Sequence, residues 1–427
     1  MKKPLNHYLN LKSLILFFAF LIASIPNHAQ IYPTQYLQQA LENNPGLQAQ
    51  HKVWEAAQKQ LDITGALPDP SLSAGFFTPP MKGFMGNQWF DVGLMQMFPW
   101  PGTLGKQKSA EEKMAESEFH QYRDERNRLF FEITRLWLEV YRKEQELAII
   151  GRYEEILNSR KDIIYTRYEA GLQRSGIALD IYRMEIQLAE LANQKNETRE
   201  EHRAIVESFN ILLGRETDEV IETPYTLNVF YPEIFDTRAA AETFASNPQL
   251  KRYHAIAEAA EIQQEVNRLK TRPMLGVGLQ YSYFAPGEAA IGQMDGGHML
   301  MPMVSVSLPI FGRKNRAMQH QAELLADAAR FRKSDRLNAL HTQGVQLQAK
   351  VNILLNDNKF YNRQLEITQK TWELVLIAYE AGEEGFDELL RIQDQLIDLE
   401  WRLLENKINQ HLARAEMDML LARNIFE

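Results

Sequence analysis

Apolar residues recur at two different spacings along this chain, and the change from one to the other marks out its elements. From Gly102 to Ala170 there is no proline, and a seven-residue register runs through Ala115, Tyr122, Leu129, Leu136, Lys143, Ile150, Leu157 and Ile164. A companion register runs through Phe119, Arg126, Ile133, Val140, Leu147, Glu154, Lys161 and Tyr168. Most of these positions are apolar, the pattern of a coiled-coil seam. At about 1.5 Å per residue, a helix over this stretch would be roughly 100 Å long, several times the diameter of a globular domain. Such a rod is not stable alone in water, so the pattern predicts helical partners along its length.

Immediately before the rod the spacing falls to two. Leu72, Ala74 and Phe76 alternate with Ser71, Ser73 and Gly75, and Phe90, Val92, Leu94 and Phe98 alternate with Asp91, Gly93, Met95 and Met97. These are the two strands of a hairpin, 71–98, with a Pro/Gly-rich loop expected over Thr78–Gln88. A helical segment from Tyr36 to Thr64, interrupted at Asn43-Asn44-Pro45-Gly46, precedes them. Pro99-Trp100-Pro101-Gly102 stops the second strand and opens the long helix, 102–170. Beyond Tyr168-Glu169-Ala170-Gly171, turn residues reverse the chain, and a return helix, 177–213, runs back over about half the rod. Something else must cover the rest.

The whole plan is then repeated. Ala245-Ser246-Asn247-Pro248-Gln249-Leu250 echoes Glu42-Asn43-Asn44-Pro45-Gly46-Leu47, and Pro309-Ile310-Phe311-Gly312 stands where Pro99-Trp100-Pro101-Gly102 stood. Tyr379-Glu380-Ala381-Gly382 repeats Tyr168-Glu169-Ala170-Gly171 letter for letter. Between these marks lie a second hairpin, 274–308, with strands expected at Met274–Phe284 and Met301–Leu308, a second long helix, 313–381, and a second return helix, 386–421. The seam recurs at Ala326, Lys333, Leu340, Leu347, Leu354, Tyr361, Thr368 and Val375. The expected organisation is therefore two structural repeats, 30–214 and 236–427, joined by an equatorial linker, 215–235.

The bulk numbers narrow the class. The chain has 427 residues, is 45% hydrophobic and 24% charged, and carries a net charge of −9, values of a folded protein without a nucleic-acid surface. It contains no cysteine, which excludes disulfides, thiolate metal sites, a cysteine nucleophile and a lipidated cysteine. Lys2, Lys3 and Lys12, the apolar stretch from Leu14 to Ile25 and Pro26-Asn27-His28-Ala29-Gln30 have the layout of a secretory signal peptide, 1–29, cut after Ala29. No other stretch is apolar enough to span a bilayer as a helix of about 20 residues. Any membrane contact of the exported chain must then be of another kind.

Four strands cannot close a barrel, since closed barrels begin at about eight, and an open sheet edge cannot face lipid. If the strands enter a membrane, several chains must share one barrel. Three chains would supply twelve strands and gather the rods into a hollow cylinder. The competing reading is a small soluble sheet on a periplasmic coiled-coil scaffold.

The repeated plan, the junctions Phe98-Pro99-Trp100-Pro101-Gly102 and Leu308-Pro309-Ile310-Phe311-Gly312, and the paired Tyr-Glu-Ala-Gly turns resemble the TolC family of outer-membrane efflux proteins. The Pro-Trp-Pro-Gly junction is similar to the heavy-metal cation efflux branch of that family. The resemblance implies a mainly α fold with β, in which long α-helical hairpins form an α-barrel tunnel. Four transmembrane β-strands per chain would join a twelve-stranded barrel shared by a homotrimer. It also implies a passive exit duct in the outer membrane, extending into the periplasm and working with a periplasmic adaptor and an inner-membrane pump of the RND type. Heavy-metal cations or drugs are the implied cargo, and a type I secretion duct for polypeptides would share the same tunnel.

By the same resemblance, the periplasmic tip carries the adaptor-docking residues Gly171, Leu172, Gln173, Arg174, Ser175, Gly382, Glu383 and Glu384. Asp180, and Asp387 with Glu388, resemble the acids lining the family's closed tunnel entrance, where a ring of like charges favours cations. Arg183 and Arg391 stand where a second acid can follow in the family, which points to ion pairs that hold the entrance shut. Solvated acids near a helix N-terminus are the plain alternative. Methionines cluster around the strands: Met81, Met85, Met95 and Met97 in one hairpin, and Met294, Met299, Met301 and Met303 with His298 in the other. Thioethers and imidazole suit Cu(I) or Ag(I), while methionine serves equally as a packing residue. There is no His-Glu-x-x-His, Gly-x-Ser-x-Gly or phosphate loop, so neither an enzyme nor a cofactor is expected.

Overall fold

The computed structural model of the protein describes residues 33–83, 85–169, 177–224, 226–227, 240–287, 296–381 and 383–423. In chain order these form α1 (Thr34–Asn43), α2 (Pro45–Gly65), β1 (Ser71–Gly83), β2 (Gly86–Phe98), α3 (Thr103–Glu169), α4 (Ile177–Leu213) and the short turn α5 (Ala240–Thr243). Then follow α6 (Pro248–Leu269), β3 (Met274–Ala285), β4 (Gly297–Ser307), α7 (Gly312–Ala381) and α8 (Phe386–Leu421). The expected signal peptide, 1–29, and residues 228–235 of the expected linker lie outside the described residues.

The rods α3 and α7 are 67 and 70 residues long. Each is flanked by shorter helices laid end to end. α3 packs against α2 and α6 over the half next to the strands, and against α4 and α8 over the half beyond. α7 packs against α6 and then α8, so these two shorter helices lie between the rods. The outcome is a wall four helices wide, ordered α2, α3, α6, α7 near the sheet and α4, α3, α8, α7 towards the tip. The cover that the return helices cannot give is thus supplied by the helix preceding each hairpin.

The repeated Asn-Pro pair fixes where those shorter helices meet. Asn44 caps α2 by accepting from the Leu47 N–H at 3.0 Å, with Pro45 in the first turn, where its missing N–H costs nothing. The Asn43 amide donates to the Leu213 carbonyl at the end of α4. Asn44 also donates to the Leu212 carbonyl at 3.5 Å, and in the second repeat Asn247 does the same two jobs, accepting from the Gln249 N–H at 2.9 Å and donating to the Leu420 carbonyl at 2.8 Å. Each return helix is thereby pinned to the start of the next helix in its column. α4 then ends at Gly214, whose φ of +68° is the left-handed cap that glycine adopts without strain.

The seam residues Ile133, Val140, Ile150, Leu157 and Ile164 are buried in one continuous core with Phe209, Met184 and Leu213 of α4 and Leu389 and Leu396 of α8. Burial of each such side chain is worth about 1.5–3 kcal/mol, and it is this repeated term that stabilises so long a helix. Lys143, a seam position by register, is also buried, with Nζ at 2.8 Å from Glu146 and 2.6 Å from Glu201 of α4. Burial works against its charge, but the hydrogen bonds to the two glutamates outweigh it and raise its pKa. The chain after α4 wraps the middle of the rod. There Trp137 Nε1 donates to the Glu222 carbonyl at 2.9 Å, and the Tyr36 hydroxyl accepts from the Glu222 N–H at 2.8 Å.

The four strands form one antiparallel sheet in the order β1-β2-β3-β4. The segment expected as a loop over Thr78–Gln88 is largely strand, since Met81, Lys82 and Gly83 pair with Gln88, Asn87 and Gly86. The register slips between Phe76 and Met81, where Pro79 and Pro80 have no N–H to offer. β1 tolerates this because it is an edge strand. β4 likewise begins at Gly297, earlier than the expected Met301. Among the described residues, the outer edges of β1 and β4 have no strand partner.

A core seam and an exposed sheet position should respond differently to truncation. Ile133→Ala, at a fully buried residue (0% exposed), is expected to lower unfolding stability by about 2–5 kcal/mol. Leu72→Ala, at a residue 73% exposed in the single chain, should change it little in detergent. Urea unfolding followed by helical circular dichroism tests this, and equal midpoints would remove the seam from its central role.

Candidate functional site

At the tip, each return helix starts with carboxylates in its first turn: Asp180 in α4, and Asp387 and Glu388 in α8. Carboxylates there meet the positive end of the helix dipole, and Gly385, the cap of α8, supplies no side-chain bond of its own. α4 and α8 are set apart by α3, yet their first turns are joined by side chains. Arg183 Nη1 lies 2.8 Å from Asp387 Oδ1 and 3.8 Å from Asp180 Oδ1. The Tyr379 hydroxyl, from the last turns of α7, donates to Asp180 Oδ2 at 3.4 Å. One arginine and one tyrosine therefore tie the first hairpin to the second.

Arg391 plays a different part from Arg183. It pairs with Glu388 within α8, with Nε at 2.8 Å from Oε2 and a second, shorter contact from Nη2 to Oε1. The hydrogen bond from Arg391 holds the Glu388 carboxyl below its ordinary range. Further along, Gln187 of α4 donates to Asp394 Oδ1 of α8 at 3.4 Å. Partial desolvation between the helices and, next, the charge of Glu190 push the Asp394 carboxyl upward, although the residue is exposed to solvent in the single chain. The tip turn of α7 is closed by the Glu383 N–H donating to the Ala378 carbonyl at 2.9 Å, which leaves the Glu383 and Glu384 side chains exposed. Gly171, Leu172, Gln173, Arg174, Ser175 and Gly382 lie outside the described residues.

The sheet has two unlike faces. Leu72 and Phe76 of β1, Val92 and Leu94 of β2, Val277 and Leu279 of β3, and Leu300, Val304 and Val306 of β4 share one of them through the paired register. Most of these stand exposed, up to 78% at Phe76 and Val304. The other face carries Ser71, Ser73, Asp91, Gln280, Ser282 and Ser305 with several methionines and glycines. Gln280 donates to Asp91 Oδ2 across it at 3.1 Å. Strands of 11 to 13 residues are long enough to cross a bilayer, which takes about 9–11 residues when tilted.

The structure does not bring the methionine and histidine candidates together. Met299, Met301 and Met303 lie on the polar face, whereas His298, one residue out of phase, lies on the other. His298 Nδ1 is 2.6 Å from the Tyr281 hydroxyl and its ring stacks on Tyr281, so it has a structural place of its own. Met294 lies outside the described residues. The thioethers that do converge are Met95 and Met97, whose sulfurs are 3.7 and 3.8 Å from Ser305 Oγ. They fill the space that Gly276 leaves, where a Cβ would come within 2.6 Å of the Met97 sulfur. Among the described residues no group of three or more His, Asp or Glu could hold a metal ion.

No protein-family profile and no curated sequence matches the chain, but solved structures do. It is similar to the outer-membrane protein VceC of Vibrio cholerae (15% identity, 92% of this chain and 96% of that one, TM-score 0.75). Similar in the same way are CusC, in a structure describing transmembrane channel formation (16%, 92% and 92%, 0.75), and the open state of the Neisseria gonorrhoeae MtrE outer-membrane channel (15%, 92% and 88%, 0.72). The chain has the fold of the TolC-family outer-membrane channels. In this TolC-type fold the tip contact that sequence reasoning missed is Tyr379. Its signal was present, because Tyr379 is the tyrosine of the repeated Tyr-Glu-Ala-Gly motif; its counterpart Tyr168 is exposed.

The raised Asp394 fixes the sign of one pH effect. Its folded value lies above the ordinary aspartate value of 3.8, so ionisation is disfavoured in the fold and stability is lost as pH rises through the folded value. Asp394→Asn should therefore raise the melting temperature at neutral pH and show no gain once the medium is more acidic than that ordinary value. A constant gain at every pH would dismiss the charge as the cause.

Proposed function

We propose that three copies of this chain form an exit duct in the outer membrane of an efflux system. The observation that carries this reading is the sheet, with one exposed apolar face and an unpaired edge on each side. Such a sheet is stable in lipid only when its edges are closed by further strands. The helical wall is incomplete in the same sense. α7 exposes Phe331, Ile353 and Leu374 at one margin, while α4 exposes Leu179, Tyr182 and Ile186 at the other. Margins of different composition fit a head-to-tail contact that closes into a ring. Three copies of a four-stranded sheet supply twelve strands, and the same ring encloses a tunnel of helices.

In this reading the polar sheet face lines the pore, the apolar face meets lipid, and the tip opens on the periplasm. Arg183, with Asp387 and Asp180, is the latch of the periplasmic end, and Glu388 with Arg391 adds charge at its rim. The tip, 171–175 and 382–384, docks a periplasmic adaptor, and an inner-membrane pump of the RND type supplies the energy. The duct does no chemistry and needs no cofactor. Heavy-metal cations and drugs are the cargo classes in view. The polar face, with Asp91 and a lining of thioethers and hydroxyls, accommodates small cations better than a folded polypeptide.

The oligomer and the latch are separately testable. Ile353→Asp should abolish the trimer on sizing in detergent, and recovery of the natural chain in the soluble fraction without detergent would sink the membrane reading. In planar bilayers the natural protein should show small, cation-preferring currents. Arg183→Ala and Tyr379→Phe together should raise conductance several-fold, while Arg391→Ala should alter ion preference more than conductance. Unchanged conductance in the Arg183→Ala, Tyr379→Phe variant would remove both residues from the gate.

A further inference from the structure

The band where the sheet meets the rods carries a charge pattern that the duct itself does not use. Segments 99–110, 266–273 and 308–322 contain eight Lys and Arg residues and no Asp or Glu, on a chain of net charge −9. The structure gathers them at one level. Lys108 packs where a Cβ on Gly65 would stand, Gly102 faces Leu269, and Gln319 donates to Thr271 Oγ1 at 3.5 Å. Arg268 of α6 and Arg316 of α7 line one cavity of about 300 Å³ together with His320 and Glu323.

Two features set this band apart from ordinary solvated charge. First, Arg313 and Lys314 occupy the first turn of α7, and Lys106 that of α3, with no acidic residue in either first turn. Positive charge there opposes the helix dipole, so helix stability does not account for it. Second, the cations are exposed, and among the described residues only Lys106 has an ion-pair partner, Glu265 at 2.6 Å. The band lies directly below an exposed apolar collar of Phe98, Trp100, Leu308, Ile310 and Phe311. Its helical cations lie within about one and a half turns, or roughly 8 Å, of the sheet-side ends of α3, α6 and α7. That depth matches the headgroup layer of a bilayer, roughly 5–8 Å on each side of the hydrocarbon.

We propose that this band binds the anionic headgroups of phospholipids in the leaflet nearest the rods, an inference that rests on the sheet spanning the membrane. Apolar collar and basic band then act in series: aromatic and aliphatic side chains sit at the hydrocarbon boundary, and Lys and Arg pair with phosphates one layer further out. Even counting Asp69, Glu265 and Glu323, the balance is eight cations against three carboxylates, so the complementarity is to negative charge. The band would fix how deeply the barrel sits and hold the rods upright in the periplasm.

The full-length protein, reconstituted into phosphatidylcholine vesicles with and without phosphatidylglycerol, provides the test. Spin-labelled forms of both lipids report which one occupies the protein boundary. Phosphatidylglycerol is expected to be enriched several-fold, and the enrichment should collapse at about 1 M salt, where charges are screened beyond about 3 Å. Combined Arg268→Gln, Arg272→Gln, Arg313→Gln, Lys314→Gln and Arg316→Gln should abolish it, Arg→Lys exchanges at the four arginines should retain it, and Arg199→Gln with Arg203→Gln, on α4, should leave it intact. Equal occupancy by both lipids around inserted protein overturns the inference while leaving the duct standing. Insertion into neither vesicle overturns both. Should the combined variant not fold, the lipid preference of the natural chain and its salt dependence decide the matter alone.

Discussion

The backbone N–H and C=O groups along the free edges of β1 and β4 set the terms for the rest of this molecule. In water such edges are tolerable; in hydrocarbon each unsatisfied group costs several kcal/mol. A four-stranded sheet with an apolar face therefore cannot be a finished object in a membrane. In the proposed duct further copies supply the closure, and the helices continuing each strand end are then arranged around the same axis. The incomplete wall, with its apolar margins on α4 and α7, answers the same demand in the medium below.

Within one chain, length is managed by division. A rod of 67 or 70 residues gains no stability from propensity alone, and no single partner in the chain matches it. Two short helices in line replace one long partner, and the break between them is held by asparagine side chains that cap one helix and bind the carbonyl end of the other. That joint is also where the linker wraps the first rod. The fold can in this way carry two unlike ends, a sheet with an exposed apolar face and a polar tip, with a uniform seam between them.

The tip joins the two hairpins with very few side chains. Arg183 spans from α4 to α8, and Tyr379 reaches Asp180 from α7, so three helices are tied by two side chains. Arg391, by contrast, is satisfied inside its own helix. Two arginines at equivalent places in the repeat thus do different work, because only one of them faces a carboxylate on another hairpin. Ion pairs of this exposed kind are individually weak, about 0–1 kcal/mol, which suits the latch role proposed for this contact.

Much of this architecture was legible in the residues. Periodicity of seven and of two, proline and glycine at the junctions, and the letter-for-letter Tyr-Glu-Ala-Gly turns determine helices, strands and their duplication through local geometry, which depends on spacing alone. The carboxylates at the starts of the return helices were legible for the same reason. What only the tertiary structure decided depends on contacts between distant segments. α6 covers α3 although 78 residues separate Glu169 from Pro248. Phase along β4 sends His298 and Met301 to opposite faces and dissolves an apparent ligand set, while strand register brings Met95 and Met97 to Ser305 instead. Pairing also drew 81–83 into β1 beyond Pro79 and Pro80, which an edge strand tolerates because it needs bonds on one side only. Sequence spacing states which face a residue can share; which neighbours occupy that face is settled by the cross-strand and cross-helix packing that the spacing does not encode.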